Sequence, residues 1–359
     1  MTVKLVSLTL TRREIKVKHM EKIIGISELP LLNTYVTMEI KGIPTAYINA
    51  FRRTSIDELQ GYALQVPIEN DWKDTSDMFM LPQFVVQRIS LIPLKNTLNI
   101  DINSIKYELV MENLSKTKPL PVYSKDLKLT SGKLSEPIFN PTFKICVLQP
   151  TQKISIKNIY IGSDTGKDNA AFQRVRLASY KHLDIKEYDR NETHAYGGKY
   201  VDYSGYAESS MKSDPRHHLY TCVVPSTTNN KAEVISIFID VCINIKKRLQ
   251  FILSHIESKD ISSTSQGIEY SVYQLIEGTY ECILQIANET YTIGELIKRT
   301  VYDLTPDIIN IKYVILSHEN SLKLTIQYKE HITKILKKAL NVAIATFDSL
   351  QTQLTNYPI

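Results

Sequence analysis

Two adjacent arginines in mid-helix are the residues of this chain best placed for polar chemistry. They stand in "GIPTAYINAFRRTSIDEL" (42–59), where a Gly-Ile-Pro stop precedes a helical pattern. At about 100° per residue, Ile48, Phe51, Ser55 and Leu59 share one side, which is expected to face a sheet. Ala46, Asn49, Ala50, Arg53 and Asp57 share the other, a face small and flat enough for another backbone to approach. Asn49 and Arg53 lie one turn apart on it as hydrogen-bond donors. Arg52 falls at the edge of the apolar side, where its stem can pack while its guanidinium reaches out. Such a face can simply be solvated. It can also dock a partner, with Arg53 gripping a carboxylate or backbone carbonyls through its rigid, bidentate fork. Spacing alone leaves both readings open.

Other candidate chemistry is weaker. "IGSDTGKDNA" (161–170) approaches a phosphate-binding loop, but Gly162 and Gly166 are one residue too close and Asp168 stands where a Ser or Thr should bind magnesium. His182, His194, His217 and His218 fall in a β-rich stretch and its loop without HxxxH or HExxH spacing. Cys146, Cys222, Cys242 and Cys282 never form a CxxC pair and sit among apolar neighbours, so they read as reduced, small hydrophobes. No metal, cofactor or catalytic nucleophile is expected. Tyr196, Tyr200, Tyr203 and Tyr206 could stack on bases, but a tyrosine-rich surface loop accounts for them as well. The net charge of +5 is spread along the chain, which disfavours direct nucleic-acid binding.

The elements that must position the arginines are legible as patterns. The 359 residues suffice for about two domains, and 43% apolar with 23% charged residues is an ordinary globular balance. No run approaches the roughly 18 apolar residues of a membrane helix, and the opening "MTVKLVSLTL" alternates as a strand, so a soluble intracellular protein is expected. "YVTMEIKG" (35–42) and "YALQVPIE" (62–69) read as strands on either side of the arginine helix, and "MFMLPQFVVQRISLIPL" (78–94) as a short helix ending at Pro93. Residues 95–218 alternate in short runs, and 191–218 form an aperiodic loop. Long amphipathic helices are expected over 231–257 and at the end of the chain, with stripes such as Ile245, Leu249, Ile252 and Ala343, Phe347, Leu350.

Set over each other, "AYINAFRR" (46–53) and "TIGELIKR" (292–299) reveal a repeat: each follows a strand, opens a helix and carries two central basic residues. Each half also ends in a long amphipathic helix. The predicted fold is α+β. Residues 1–94 with 219–258 form one module, 95–218 an inserted β-rich domain, 259–267 a Ser-rich linker and 268–359 a second, related module. A pseudo-twofold dimer within one chain follows from such a duplication.

Taken in order, the first strand, the "NAFRR" helix, "QRISLIPL" (87–94), "VYSKDL" (122–127) and "YTIGELIK" (291–298) resemble the α-like assembly subunits of multisubunit DNA-directed RNA polymerases. Residues 1–258 resemble the larger α-like subunit of nuclear and archaeal enzymes and 268–354 its smaller partner. The two are fused as in large cytoplasmic DNA viruses of the African swine fever type. The resemblance implies a non-catalytic scaffold that nucleates assembly of the two largest polymerase subunits together with small assembly subunits, working in the cytoplasmic viral factory and the virion. It implies dimerisation modules whose interface residues are Asn49, Arg52 and Arg53 in the first copy and Thr292, Gly294, Lys298 and Arg299 in the second. This chain departs from the family where Glu295 and Lys298 replace the usual Asn and Arg, so that face has lost contacts or Glu295 pairs with Arg299 one turn on. Region 95–121 lacks the cysteine cluster that holds zinc or an iron-sulfur centre in some relatives. An α+β interaction protein of some other complex is the rival reading.

Overall fold

A computed structural model of the chain describes residues 3–14, 32–67, 75, 81–94, 101–134, 138–139, 141–183, 216–225, 231–257, 267–276, 278–316, 318–329 and 332–358. Residues 259–266 of the expected linker and most of the 191–218 loop, with its four tyrosines and His194, lie outside them.

Alternating runs become strands wherever one side can be buried. β1 (Lys4–Glu14), β2 (Leu32–Lys41), β9 (Arg176–His182) and β10 (His217–Pro225) form an antiparallel sheet in the order β1-β2-β10-β9. Val36 faces Cys222 and Met38 faces Tyr220 across β2 and β10, and all four are buried. A second sheet holds β11 (Ile268–Ile276), β12 (Thr279–Ala287), β13 (Asn310–Leu316) and β14 (Ser321–Tyr328) in the order β11-β12-β14-β13. Cys282 faces Ile326 and Leu284 faces Leu324, again buried. Helix α1 (Thr45–Arg53) follows β2, and α4 (Tyr291–Leu304) follows β12. Helix α3 (Lys231–Glu257) follows β10, and α5 (Ile332–Thr355) follows β14. Both halves therefore run strand, strand, helix, strand, strand, helix with one spatial strand order.

The long helices form the seam. Their stripes at three-four spacing, from Val234 to Ile256 and from Ile332 to Leu354, are buried against each other and against both sheets. One apolar core runs through residues of both halves, from Val36 and Phe51 through Leu249 to Leu296 and Phe347.

A second core lies apart. β3 (Gln60–Gln65) pairs with β8 (Lys153–Thr165), in a sheet ordered β3-β8-β4-β6 with β4 (Lys106–Glu112) and β6 (Lys128–Ser131). β5 (Leu120–Tyr123) and β7 (Lys144–Leu148) form a two-stranded ladder beside it. Helix α2 (Pro82–Ser90) buries Val85 and Ile89 in this core with Leu64, Leu109 and Ile156. The strand expected over 62–69 thus sits at 60–65 and belongs to this sheet. β9, expected in the insert, pairs with β10, and His217 and His218 stand in β10 rather than in a loop. The phosphate-loop candidate is the end of β8 and a run of turns beside an open groove of about 890 Å³. Asp168 there accepts a hydrogen bond from the Thr165 hydroxyl at 2.8 Å.

Among the described residues no helix is long and apolar enough to cross a membrane, and no group of three or more His, Cys, Asp or Glu is placed to hold a metal ion.

Candidate subunit interface

The strand-to-helix turn that launches the arginine helix needs a left-handed residue, and Gly42 supplies it at φ 87°. The corresponding turn of the second half uses Asn288 at φ 59°. Each helix then starts after an extended residue, Pro44 in one case and Thr290 in the other.

Behind α1 lies an aromatic trio. Phe51 meets Tyr220 edge-on at 5.3 Å and stacks on Phe238 at 5.9 Å. Ile48, Phe51, Ser55 and Leu59 are buried, as their spacing predicts. The α-helix itself stops at Arg53 and continues as a π-helical turn over Thr54–Glu58, whose Ser55 hydroxyl donates to the Arg52 carbonyl at 2.7 Å. Arg52 is turned back on its own helix: Nε and Nη2 both donate to Asn49 Oδ1, at 3.2 and 3.1 Å. Arg53 is partly exposed and makes neither hydrogen bond nor ion pair among the described residues.

On α4 the expected residues divide. Lys298 pairs with Glu295 at 3.6 Å and lies over the Tyr313 ring at 5.6 Å. Arg299 pairs with Asp303 at 2.9 Å, so the expected Glu295–Arg299 pair is replaced by two others. Asp303 also receives Arg216, the residue just before β10, at 3.4 Å. Thr292 and Gly294 are buried and face inward. A Cβ on Gly294 would come within 2.9 Å of Leu322 and 3.1 Å of the Tyr313 ring, so glycine lets α4 lie close on its own sheet. Burial, with the Glu295 carboxylate beside it, holds the Tyr313 hydroxyl well above its ordinary range.

The face opposite the sheet is not open along its whole length. Ala50 is buried, and so is Tyr47, because α4 packs across α1. Tyr47 bonds to Thr300 Oγ1 of α4 at 2.7 Å and stacks on Phe347 of α5 at 5.6 Å. Burial pushes its hydroxyl pKa up to about 12. Arg248 on α3 is a second joint between the halves. Its Nε donates to Glu289 Oε1 at 2.9 Å, its Nη2 grips the other oxygen, and its Nη1 pairs with Glu58. Burial opposes the Arg248 charge, but these two carboxylates outweigh it and raise its pKa. Sequence reasoning missed Tyr47 and Arg248. A charge between Ile245 and Leu249, both fully buried, was the available signal for the second.

No family model matches the chain. It is 35% identical over 335 residues to the DNA-directed RNA polymerase RPB3-11 homolog of African swine fever virus, strain Badajoz 1971 Vero-adapted, spanning 90% of this chain and 88% of that protein. The homologue from isolate Tick/Malawi/Lil 20-1/1983 is 34% identical over 91% of this chain and 89% of its own. The archaeal RNA polymerase subunit Rpo3 of Picrophilus torridus is 25% identical over 185 residues, 46% of this chain and 66% of that subunit. The chain belongs to the RPB3-11 homologue family of DNA-directed RNA polymerase subunits.

Proposed function

We propose that this chain is a non-catalytic scaffold of a DNA-directed RNA polymerase, an intramolecular pseudo-dimer on which the two largest subunits and the small assembly subunits gather. One observation carries the reading: two halves share a strand order and helix placement, and bury their long helices in one core. Packing supports domain limits moved from those read in sequence. The first module comprises about 3–59 and 175–257, the inserted domain 60–172 and the second module 267–358.

Asn49, Arg52, Arg53, Lys298 and Arg299 are the partner-facing residues in this proposal, while Thr292 and Gly294 hold α4 in place. Arg53 leads, since it is partly exposed and, though within electrostatic reach of Tyr313, forms no side-chain hydrogen bond or ion pair among the described residues. The family's viral members support a site of action in the cytoplasmic viral factory and the virion.

The test is co-purification of the two largest polymerase subunits with the wild-type chain and with Arg53→Ala, washed at rising salt. Loss of one partner of a desolvated charge pair costs about 2–5 kcal/mol. Arg53→Ala should fold normally and lose a large subunit at salt that the wild type withstands. Equal retention at high salt would remove Arg53 from the interface, and recovery of unrelated proteins in place of polymerase subunits would remove the function.

A further inference from the structure

We propose that the pairing of the two modules is directional: each fits the other and rejects a copy of itself, through the Arg248–Glu289–Glu58 cluster between long helix and strand-to-helix turn, which has no charged counterpart where α5 meets the turn before α1. The inference rests on the two-module reading above. In the match of 46–53 with 292–299, Ile43 corresponds to Glu289 and Tyr47 to Ile293. The buried stripes of α3 and α5 match position by position, Val234 with Ile332, Leu249 with Phe347 and Ile256 with Leu354, which pairs Arg248 with Thr346.

A twofold relation between modules creates two equivalent places where the long helix of one meets the strand-to-helix turn of the other. Here the two places are chemically unlike. Where α5 meets α1, the contact is neutral: Tyr47 stacks on Phe347, and the corresponding positions hold Ile43 and Thr346, both buried. Where α3 meets the turn before α4, Arg248 grips Glu289 with two nitrogens and Glu58 with a third. These side chains are largely shielded, Arg248 keeping 19%, Glu58 15% and Glu289 11% of their exposure.

Self-pairing would break this arrangement on both sides at once. Two first modules would set Arg248 opposite Ile43 twice, with the Glu289 partner gone. Two second modules would set Glu289 opposite Thr346 twice, leaving two shielded carboxylates without a cation. Stripping water from an ionised group without supplying a partner is strongly unfavourable, so the mismatch selects most strongly against the second module's self-pair; in the first module's, Arg248 loses its two-nitrogen partner and keeps only Glu58 of its own module. The consequence for a scaffold is direct, because a self-paired assembly would display one docking face twice and could not seat two different large subunits.

The experiment uses the full chain with a protease site placed within 261–266, cut after folding. The nicked protein is unfolded in urea, refolded and weighed by native mass spectrometry. Wild type should return almost wholly as pairs of one fragment of each kind. Arg248→Thr with Glu289→Ile and Glu58→Leu, which gives that side the residue types of the neutral one (Thr346, Ile43 and Leu304), should give self-pairs alongside roughly the statistical half of mixed pairs. A triple variant that re-pairs as selectively as wild type overturns the proposal. Glu289→Gln guards against a refolding failure, since it keeps the side-chain shape. Exchange of an isotope-labelled second fragment into its nicked, never-unfolded particle should be about tenfold faster than in wild type. An unchanged rate overturns the proposal. A nicked wild-type particle that separates at once into two monomers indicts the two-module reading itself.

Discussion

The contact between Tyr47 and Thr300 can be tested as a bond between the halves. Thr300 spends its single hydroxyl proton on the Leu296 carbonyl at 2.7 Å, so Tyr47 must be the donor in their shared bond. Tyr47→Phe removes that donor and keeps the ring stacked on Phe347, which should cost about 1 kcal/mol. Thr300→Val removes the 2.7 Å acceptor and leaves the fully buried tyrosine hydroxyl only Thr346 to turn to, so it should cost more, about 1–3 kcal/mol. The double variant loses both polar atoms and no longer buries an orphan. It should therefore be more stable than Thr300→Val alone, with a coupling energy of about 1 kcal/mol or more. Urea unfolding followed by far-ultraviolet circular dichroism measures all four corners of the cycle. Additivity within about 0.3–0.5 kcal/mol would refute the argument, as would loss of the two halves' structure at separate midpoints.

Tyr47 also implies an alkaline limit. Its hydroxyl ordinarily titrates near 10 and is raised to about 12 by burial, so the folded state favours the neutral form. The stabilisation is whole below pH 10 and is lost as pH rises from 10 to 12, a total of about 2–3 kcal/mol. Tyr47→Phe should flatten that part of the stability profile measured by urea melts. The four cysteines are buried, and burial raises the thiols of Cys146 to about 11 and of Cys222 and Cys282 to about 12. A thiol reagent at pH 8 should label none of the four in the native protein and all of them in urea; rapid native labelling would contradict the core packing. Phe51→Ala opens a hole in the aromatic trio and should cost roughly 3–5 kcal/mol in urea unfolding, whereas a cost under about 1 kcal/mol would deny Phe51 its core role.

The long helices were readable because a buried stripe leaves a period: every position from Val234 to Ile256 that recurs at three-four spacing is where a core residue must be. The helix opened by the repeat at 292–299 is also found, as Tyr291–Leu304. Sheet membership was not readable. The alternation in "YALQVPIE" tells that one face is buried but not whether β2 or β8 supplies the neighbouring strand, and β8 does. β9 exposes every second residue, so its pairing with β10 leaves little apolar signal. The helical wheel of α1 failed in an instructive way. It knows one covered side, yet α1 is covered on two, by its own sheet and by α4, and Tyr47 and Ala50 fall under the second cover. Gly294, named with the interface residues by resemblance, lies toward the home sheet, where only the absence of a Cβ allows the approach to Leu322.

β1 is an edge strand, and an edge offers its backbone to any passing strand. Here the offer is taken up by α5 and the residues just after it. Gln353 accepts from the Leu5 amide at 2.7 Å and donates to the Val3 carbonyl at 2.9 Å, as a neighbouring strand would. The Tyr357 hydroxyl does the same for Leu8, accepting at 2.9 Å and donating at 3.2 Å. In order of synthesis the first strand is thus made long before the groups that blunt it. During translation its edge stays unshielded until the last helix leaves the ribosome, so a ribosome stalled before residue 353 holds a nascent chain with an adhesive first strand.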